Sequence, residues 1–440
     1  MQPINGALQA GLKSTQRERL LSAMTHVAAR DGYAHASISA VITEAVVSRP
    51  TFYEYFSDKD DCFLAALGEI QQRLLIRIET AVHEQAPERA LAATVGALVD
   101  FAASEPTSAQ FLMSEPMAGG PRALDARDRG IAELAELIER AQRSSPATVL
   151  IPDISAAMVV GSLYRLLSSR LRRGEPNLAG LLDDLLAWIA SYEWPLREHR
   201  WSSPRGAASP APSPFVTEAP LHAPGPLPKG RPNISEAEVA ENHRQRILFA
   251  TAQISEEAGY TAAKVTDITK LAGVDGRAFY GQFANKQEAF MAIHELGFQR
   301  TMAVAAGAFF AGETWPERVW EALHAFTEFL RINPTIAHIG FVDSSAVGPG
   351  AVQRVEDTRI AFTIFLQEGY KYSEQEHPPS PLALEAIAAT IFEIAYHQAR
   401  QGTVTGTSGL LTHMIAIALI PFLGVKESNR FIADKLDGGG

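Results

Sequence analysis

Apolar positions set the first pattern. From Arg17 to Arg30, Leu20, Leu21, Met24, Val27 and Ala28 fall on one stripe of an amphipathic helix. Gly32 follows where a left-handed residue suits a helix end. Ile38, Val41 and Ile42 mark the inner face of a second, short helix over Ser39–Ala45. After a turn at Val46 and Val47, Ser48 is placed to cap a third helix, Arg49–Tyr55, with Pro50 in its first turn where the missing N–H is harmless. Phe56 to Lys59 then leads into a long helix. The remainder is rich in Leu, Ala, Ile and Glu at helical spacing with few strand-like alternations, so the expected fold class is all-α.

The pattern occurs twice. Shifting the chain by 227 residues aligns Arg17–Leu67 with Arg244–His294, and 15 of 51 positions are identical without a gap. Among them are Arg17/Arg244, Arg19/Arg246, Gly32/Gly259, Tyr33/Tyr260, Phe52/Phe279, Tyr53/Tyr280, Phe56/Phe283, Lys59/Lys286 and Phe63/Phe290. Phe52, Phe56, Phe279 and Phe283 recur at the spacing of a buried stripe and are expected in the core. Between the copies, Trp201 to Pro232 is dense in Pro, Ser, Ala and Gly and reads as a semi-extended tether. The expected organisation is a first head over 14–60, a first helical body over 61–197, a proline-rich linker over 198–235, a second head over 236–287 and a second body over 288–432.

Composition narrows the classes of function. With 440 residues, 46% of them hydrophobic and 20% charged, the chain has ordinary globular composition and more length than one core usually supports. Cys62 is the single cysteine, which excludes an intrachain disulfide and a cysteine-based zinc site and suits a reducing compartment. His413–Leu423, the most apolar stretch, is too short to span a bilayer, so no membrane partner is expected and the chain reads as cytoplasmic. There is no paired Cys/His constellation, no Gly-rich phosphate loop and no nucleophile elbow, and His294, His324, His338 and His413 lack ligand spacing. An enzyme, a cofactor and a metal site are therefore not expected. The net charge of −11 does not exclude nucleic acid, because binding depends on the local potential of the reading face.

Two short helices joined by a tight turn and braced by a first helix make a helix-turn-helix, whose second member fits the major groove. The run from Val47 to Lys59, Val-Ser-Arg-Pro-Thr-Phe-Tyr-Glu-Tyr-Phe-Ser-Asp-Lys, resembles the signature of the TetR family of transcriptional regulators, and Ala272 to Lys286 repeats it. The resemblance implies two TetR-like units in tandem, each a three-helix head and a helical ligand and dimerisation body, docked as an intrachain pseudo-dimer or assembled as a homodimer. It implies double-stranded operator DNA as partner and phosphate contacts from Tyr53 and Lys59, with Ser39, Ser48, Arg49, Thr51 and Tyr55 on or near the DNA face. In the second head the corresponding set is Thr266, Asp275, Gly276, Arg277, Tyr280, Gln282 and Lys286. Two departures stand out. Val46 replaces the usual turn glycine and resists a left-handed conformation, and Asp275-Gly276 replaces a polar and basic pair, so the second head is expected to be less positive. Lys229-Gly230-Arg231-Pro232 resembles the basic arms that precede many such heads and thread into a minor groove.

For the bodies, the resemblance implies about six further helices each. Ile154–Arg173 and Leu178–Trp194 form the first terminal pair, and Leu382–Arg400 and Leu410–Phe422 the second; such pairs build either a partner interface or the core of their own body. An apolar or amphipathic small-molecule effector is expected in a pocket near Phe101, Phe111, Met117 and Tyr164 in the first body and near Trp315, Trp320, Phe326, His338, Phe341, Phe365, Tyr396 and His397 in the second. The expected function is a ligand-responsive repressor, associated with the bacterial nucleoid when DNA-bound and reading an asymmetric or pseudo-palindromic operator. The alternative is a ligand-sensing or protein-interaction module in which one or both heads no longer bind DNA.

Overall fold

The computed structural model describes residues 3–86, 89–144, 148–150, 154–175, 177–195, 211–217, 220–227, 234–373, 378–402 and 408–437. It divides into two compact units, Met1–Val149 with Ser155–Leu186 and Pro195–Arg197, and Leu150–Ile154 with Ala187–Trp194 and Glu198–Gly440. The Lys229–Pro232 arm lies outside the described residues.

The first unit begins with α1 (Pro3–Asp31), longer than the apolar stripe required, followed by α2 (Ile38–Ala45) and α3 (Arg49–Tyr55). The long α4 (Lys59–His83) then carries the chain into a body of α5 (Ala90–Ser104), α6 (Pro106–Ser114), a 3-10 turn at Glu115–Ala118, α7 (Gly120–Ser144) and α8 (Ala156–Arg172). The expected last helix is a 3-10 turn at Ala179–Leu181 and α9 (Leu182–Ala190), and it ends in an extended Glu193–Pro195 rather than continuing to Trp194 as helix. That segment, β2, pairs with β1 (Thr148–Leu150) as the one sheet among the described residues, a small departure from an all-helical chain. Residues 187–194, read from sequence as first body, are counted with the second unit, where the Tyr192 hydroxyl donates to the Ile417 carbonyl at 2.9 Å.

The second unit repeats the head as α10 (Glu236–Ala258), α11 (Val265–Ala272) and α12 (Gly276–Tyr280), followed by the long α13 (Lys286–Phe309). Its body comprises α14 (Trp315–Ile332), α15 (Pro334–His338), a π turn at Ile339–Asp343, α16 (Ser344–Val347), α17 (Pro349–Phe362), two 3-10 turns, α18 (Pro381–Gln401) and α19 (Ser408–Asp437). α19 runs well past Phe422, through Pro421 and a break at Gly424 (φ 75°, ψ 166°). It is long and apolar enough for a membrane span, contrary to expectation, yet 72% of its apolar window is buried, as in a core helix. Ile387, Ile391, Ile394, Ile415, Leu419 and Phe422 are all buried.

The described linker residues form neither helix nor strand, but they are not a free tether. The Leu221 N–H donates to Asn333 Oδ1 at 2.8 Å, its side chain packs on the core of the second head, and the Gly225 carbonyl accepts from Asn242 at 3.2 Å. Part of the proline-rich segment is therefore fixed on the second unit.

The turn between α2 and α3 adopts the conformation that valine resists. Val46 stands at φ 52°, ψ 51°, the one non-glycine residue with positive φ among those described, and it is 78% exposed. Its equivalent Gly273 has φ 60°, ψ 38°. A Cβ at Gly273 would approach Arg246 Nη2 to 2.5 Å, whereas in the first head Arg19, the equivalent arginine, reaches over the turn to donate to the Ala45 and Val46 carbonyls. Val46→Gly is expected to stabilise the chain by about 1 kcal/mol, the cost of left-handed backbone for a side chain. Gly273→Val should destabilise it by about the same 1 kcal/mol, because the left-handed backbone is strained while the flexible end of Arg246 can move aside as Arg19 does. Denaturant titration of both variants measures this, and a destabilising Val46→Gly contradicts it.

Candidate nucleic-acid interface

Both third helices are capped and then pinned by one aromatic. Ser48 Oγ accepts from the Thr51 N–H at 3.2 Å, and Asp275 Oδ1 accepts from the Ala278 N–H at 2.7 Å, each occupying an otherwise orphan donor at the helix start. Phe52 and Phe279 are fully buried, and Phe56 and Phe283 nearly so, as their spacing predicts. Arg17 and Arg244 lie over Phe56 and Phe283, 6.0 and 4.9 Å from the ring centroids, which accounts for that repeated pair. The opposite face points outward. Tyr53 and Tyr280 are 50% and 61% exposed and stand edge-on against the preceding phenylalanine.

Of the anticipated contacts, Ser39, Ser48, Arg49, Tyr53, Thr266, Asp275, Gly276, Arg277 and Tyr280 are exposed. Thr51, Tyr55, Lys59, Gln282 and Lys286 are half-buried. Ser48 and Thr51 hydroxyls share a hydrogen bond of 2.8 Å, and Tyr55 donates to Gln16 at 3.3 Å. Gln282 follows α12 rather than belonging to it.

The two lysines face inward. Lys59 Nζ donates to the Tyr33 carbonyl at 3.1 Å and lies 4.0 Å from the Tyr33 ring centroid. Lys286 Nζ donates to the carbonyls of Tyr260, Thr261 and Ala263 at 2.9, 3.2 and 2.9 Å, which occupies all three of its protons. Burial lowers the pKa of both lysines. Each thereby closes the loop after the first helix onto the start of the fourth. Tyr33 packs on Phe63 at 4.5 Å and Tyr260 on Phe290 at 5.0 Å, so the repeated Tyr, Lys and Phe form one joint in each head.

Two groups invisible to motif reading meet these tyrosines from the bodies. Glu115 Oε2 accepts from the Tyr33 N–H at 2.7 Å, and the Tyr260 N–H faces the Asp343 carboxylate. Burial pushes both acids up to about 7, against the pull of the tyrosine amides. Arg19 is a third omission; its repetition as Arg246 was the available signal. The charge comparison also changes. Over 37–59 the first helix-turn-helix holds two cations and three acids, whereas 264–286 holds four cations and two acids. Exposed Lys264 and Lys270 make the second head the more positive one, a contribution that comparing only the helix starts misses.

The second body contains two apolar cavities. One, a small cavity of about 40 Å³ partly open to solvent, is lined by Phe298, Phe326, Phe341, Phe362 and Phe392 with His294, Thr301 and Thr358 as polar groups. The other, about 20 Å³, includes Phe365 and shares Phe326, Phe362 and Phe392 with the first. His294 is held neutral, its pKa pushed down to about 4 by burial. Phe341, Phe365 and Phe326 line these cavities, while Trp315, Trp320, His338, Tyr396 and His397 line neither. In the first body Phe101, Phe111, Met117 and Tyr164 are buried, and Phe111 packs on Phe63 at 4.8 Å. Cys62 is buried with its thiol pushed up to about 12 by burial, so it is not a reactive nucleophile.

Two braced heads with exposed third helices have the geometry of the helix-turn-helix class, whose second member fits the major groove. Residues 20–66 and 247–293 both match the pattern of the bacterial regulatory proteins of the TetR family. The match is to the two heads alone, which are thus TetR-type helix-turn-helix segments, and it leaves both helical bodies outside it. No curated protein matches the chain. Similar solved structures include a TetR family transcription regulator from Marinobacter aquaeolei VT8, 19% identical, covering 43% of this chain and 100% of that one with a TM-score of 0.36. Another is FadR from Bacillus subtilis in complex with stearoyl-CoA, 16% identical over 39% of this chain and 96% of that one, TM-score 0.35. A TetR-like regulator from Rhodococcus sp. RHA1 is 22% identical over 39% and 91%, TM-score 0.31.

Two outcomes follow from the joint. Lys286→Met should cost about 1 kcal/mol, since three carbonyls, two of them in part-buried contacts, lose a charged donor, and near-wild-type stability would contradict the clamp. Glu115 and Asp343 bind protons in the native chain that the unfolded chain, with values of 4.5 and 3.8, releases. Their contribution to stability is therefore complete at acid pH and lost as pH rises through about 7. Relative to wild type, Glu115→Gln should gain on the order of 3 kcal/mol between about pH 4 and about pH 8. Melting curves across that range would show a constant gap if the carboxyl were not shifted.

Proposed function

We propose that the chain is a ligand-responsive repressor whose two heads engage one operator, asymmetric or pseudo-palindromic. The observation that carries this reading is that one frame presents two different faces. The joint, the caps and the buried phenylalanines correspond, while Ser48-Arg49-Pro50-Thr51 stands in one head where Asp275-Gly276-Arg277-Ala278 stands in the other. Side chains at the start of a recognition helix reach base edges, so unlike faces read unlike half-sites. Arg49, Tyr53, Arg277 and Tyr280 are the principal contacts in this reading, with Ser39 and Thr266 beside them. Lys59 and Lys286 act by fixing the heads rather than by holding phosphate.

The two units pair within one chain as a pseudo-dimer, since a tether sets an effective concentration of roughly millimolar. A homodimer carrying four heads is the arrangement this reading opposes. The effector is apolar or amphipathic and occupies the cavity between His294, Thr301 and the phenylalanines of the second body. The α13 helix supplies part of that wall and also carries Lys286, so occupancy is felt at the head. The protein acts in the bacterial cytoplasm, on the nucleoid when DNA-bound.

The test is enrichment of duplexes from a randomised pool by the full chain. Arg49→Ala with Tyr53→Ala, and separately Arg277→Ala with Tyr280→Ala, should each weaken binding of the enriched duplex by about tenfold or more and make its salt dependence shallower. Loss in the first pair alone would leave a single reading head. Loss in neither would favour the interaction-module reading, to which the acidic net charge gives some support. For the effector, a small-molecule library read by melting temperature should yield a stabilising compound whose effect Thr301→Phe, which fills the cavity, abolishes.

A further inference from the structure

In each unit, beside the apolar packing of head on body, a tyrosine amide of the head meets a carboxylate of the body. Tyr33 and Tyr260 are equivalent across the repeat and follow Gly32 and Gly259 at the ends of the first helices. The Tyr33 N–H is held by Glu115 of the body at 2.7 Å and its carbonyl by Lys59 of the head at 3.1 Å. The Tyr260 N–H faces Asp343, and its carbonyl accepts from Lys286 at 2.9 Å. Both acids are buried, Glu115 at 8% and Asp343 at 7% exposure.

The acids are not equivalent in the repeat. The register of 227 residues sets Val342 opposite Glu115, in a region where the two halves no longer align. Glu115 opens a 3-10 turn, whereas Asp343 closes a π turn. Two unrelated backbone arrangements thus place a carboxylate at the equivalent amide, hydrogen-bonded to it in the case of Glu115 and facing it in the case of Asp343. A buried carboxylate is costly where an apolar residue would pack, so its presence at both joints needs a reason other than stability. Tyr33 and Arg172 face Glu115. Tyr260 and His338, whose Nε2 is 3.6 Å from Asp343 Oδ2, face Asp343.

We propose that Glu115 and Asp343 are positioning residues for DNA reading, each setting the angle of its head against its body by holding the tyrosine amide. In the second unit the turn that ends in Asp343 also supplies Ile339, Gly340 and Phe341 to the cavity wall. Occupancy of the cavity and orientation of the second head therefore act on one five-residue element, and π turns commonly mark such functional points. The proposal rests on the reading of the heads as DNA binders.

The test uses the full chain and a duplex enriched from a randomised pool by the wild type. Glu115→Met and Asp343→Leu should melt at or above the wild-type temperature at about pH 8, yet bind that duplex about tenfold more weakly or worse. Glu115→Gln and Asp343→Asn, which keep an acceptor for the amide, should bind within about twofold of wild type. A merely structural role would move melting temperature and affinity together. An apolar variant with wild-type melting and wild-type affinity overturns the proposal. Where an apolar variant does not fold, Glu115→Asp and Asp343→Glu keep the charge and shift the acceptor by one methylene; about fivefold weaker binding supports the proposal and unchanged binding overturns it. A wild-type chain that enriches no duplex overturns the DNA-binding reading itself, and this proposal with it.

Discussion

The structure depends on how a very short helix is held still. Seven residues in α3 and five in α12 are too few for an isolated helix, because nucleation outweighs what so few hydrogen bonds return. One buried ring on each, Phe52 or Phe279, supplies the anchor, and one side-chain cap sets the start. All other parts of the head keep that ring in its socket. The arginine over the next phenylalanine, the lysine across the loop carbonyls and the tyrosine on the fourth helix are frame, which is why these are the residues that recur between the halves.

Identity across the repeat therefore reports packing, and in the proposed reading the differences on the exposed faces select the DNA. Tyr53 and Tyr280 are the exception, alike yet exposed, as suits a contact with the part of DNA that does not vary. Where the halves differ, at 48–51 against 275–278, the side chains face outward, with Thr51 and Ala278 only partly so. The charge of the second face also departs from the acidic whole, since Lys264 and Lys270 give that head a local balance opposite in sign to the chain.

Much of this was legible in the sequence because it is local. The bounds of α3, its Ser48 cap, the strain at Val46 and the buried phenylalanines all follow from spacing and from residue conformational preferences. What was not legible comes from distant segments. Glu115 and Asp343 reach the heads from bodies in which the repeat has faded, so no register pointed to them. Leu221 gave no signal either, because a proline-rich segment looks free until one of its N–H groups finds a buried acceptor, here Asn333. The cavity walls were half legible: helical spacing marks Phe341 and Phe365 as inward, but it does not separate a wall from a filled core such as Phe111. The overlong α19 was misjudged from His413–Leu423 because its apolar face continues beyond Gly424 to Ile432.

The central claim is that two unlike heads of one chain occupy one stretch of DNA. Hydroxyl-radical footprinting of an enriched duplex, at a chain concentration where light scattering finds a single polypeptide, addresses it directly. The account predicts two protected patches about one helical turn apart, unequal in sequence, with the patch under each head erased by substitutions in that head alone. A single patch, or two that are lost together whichever head is altered, would contradict it.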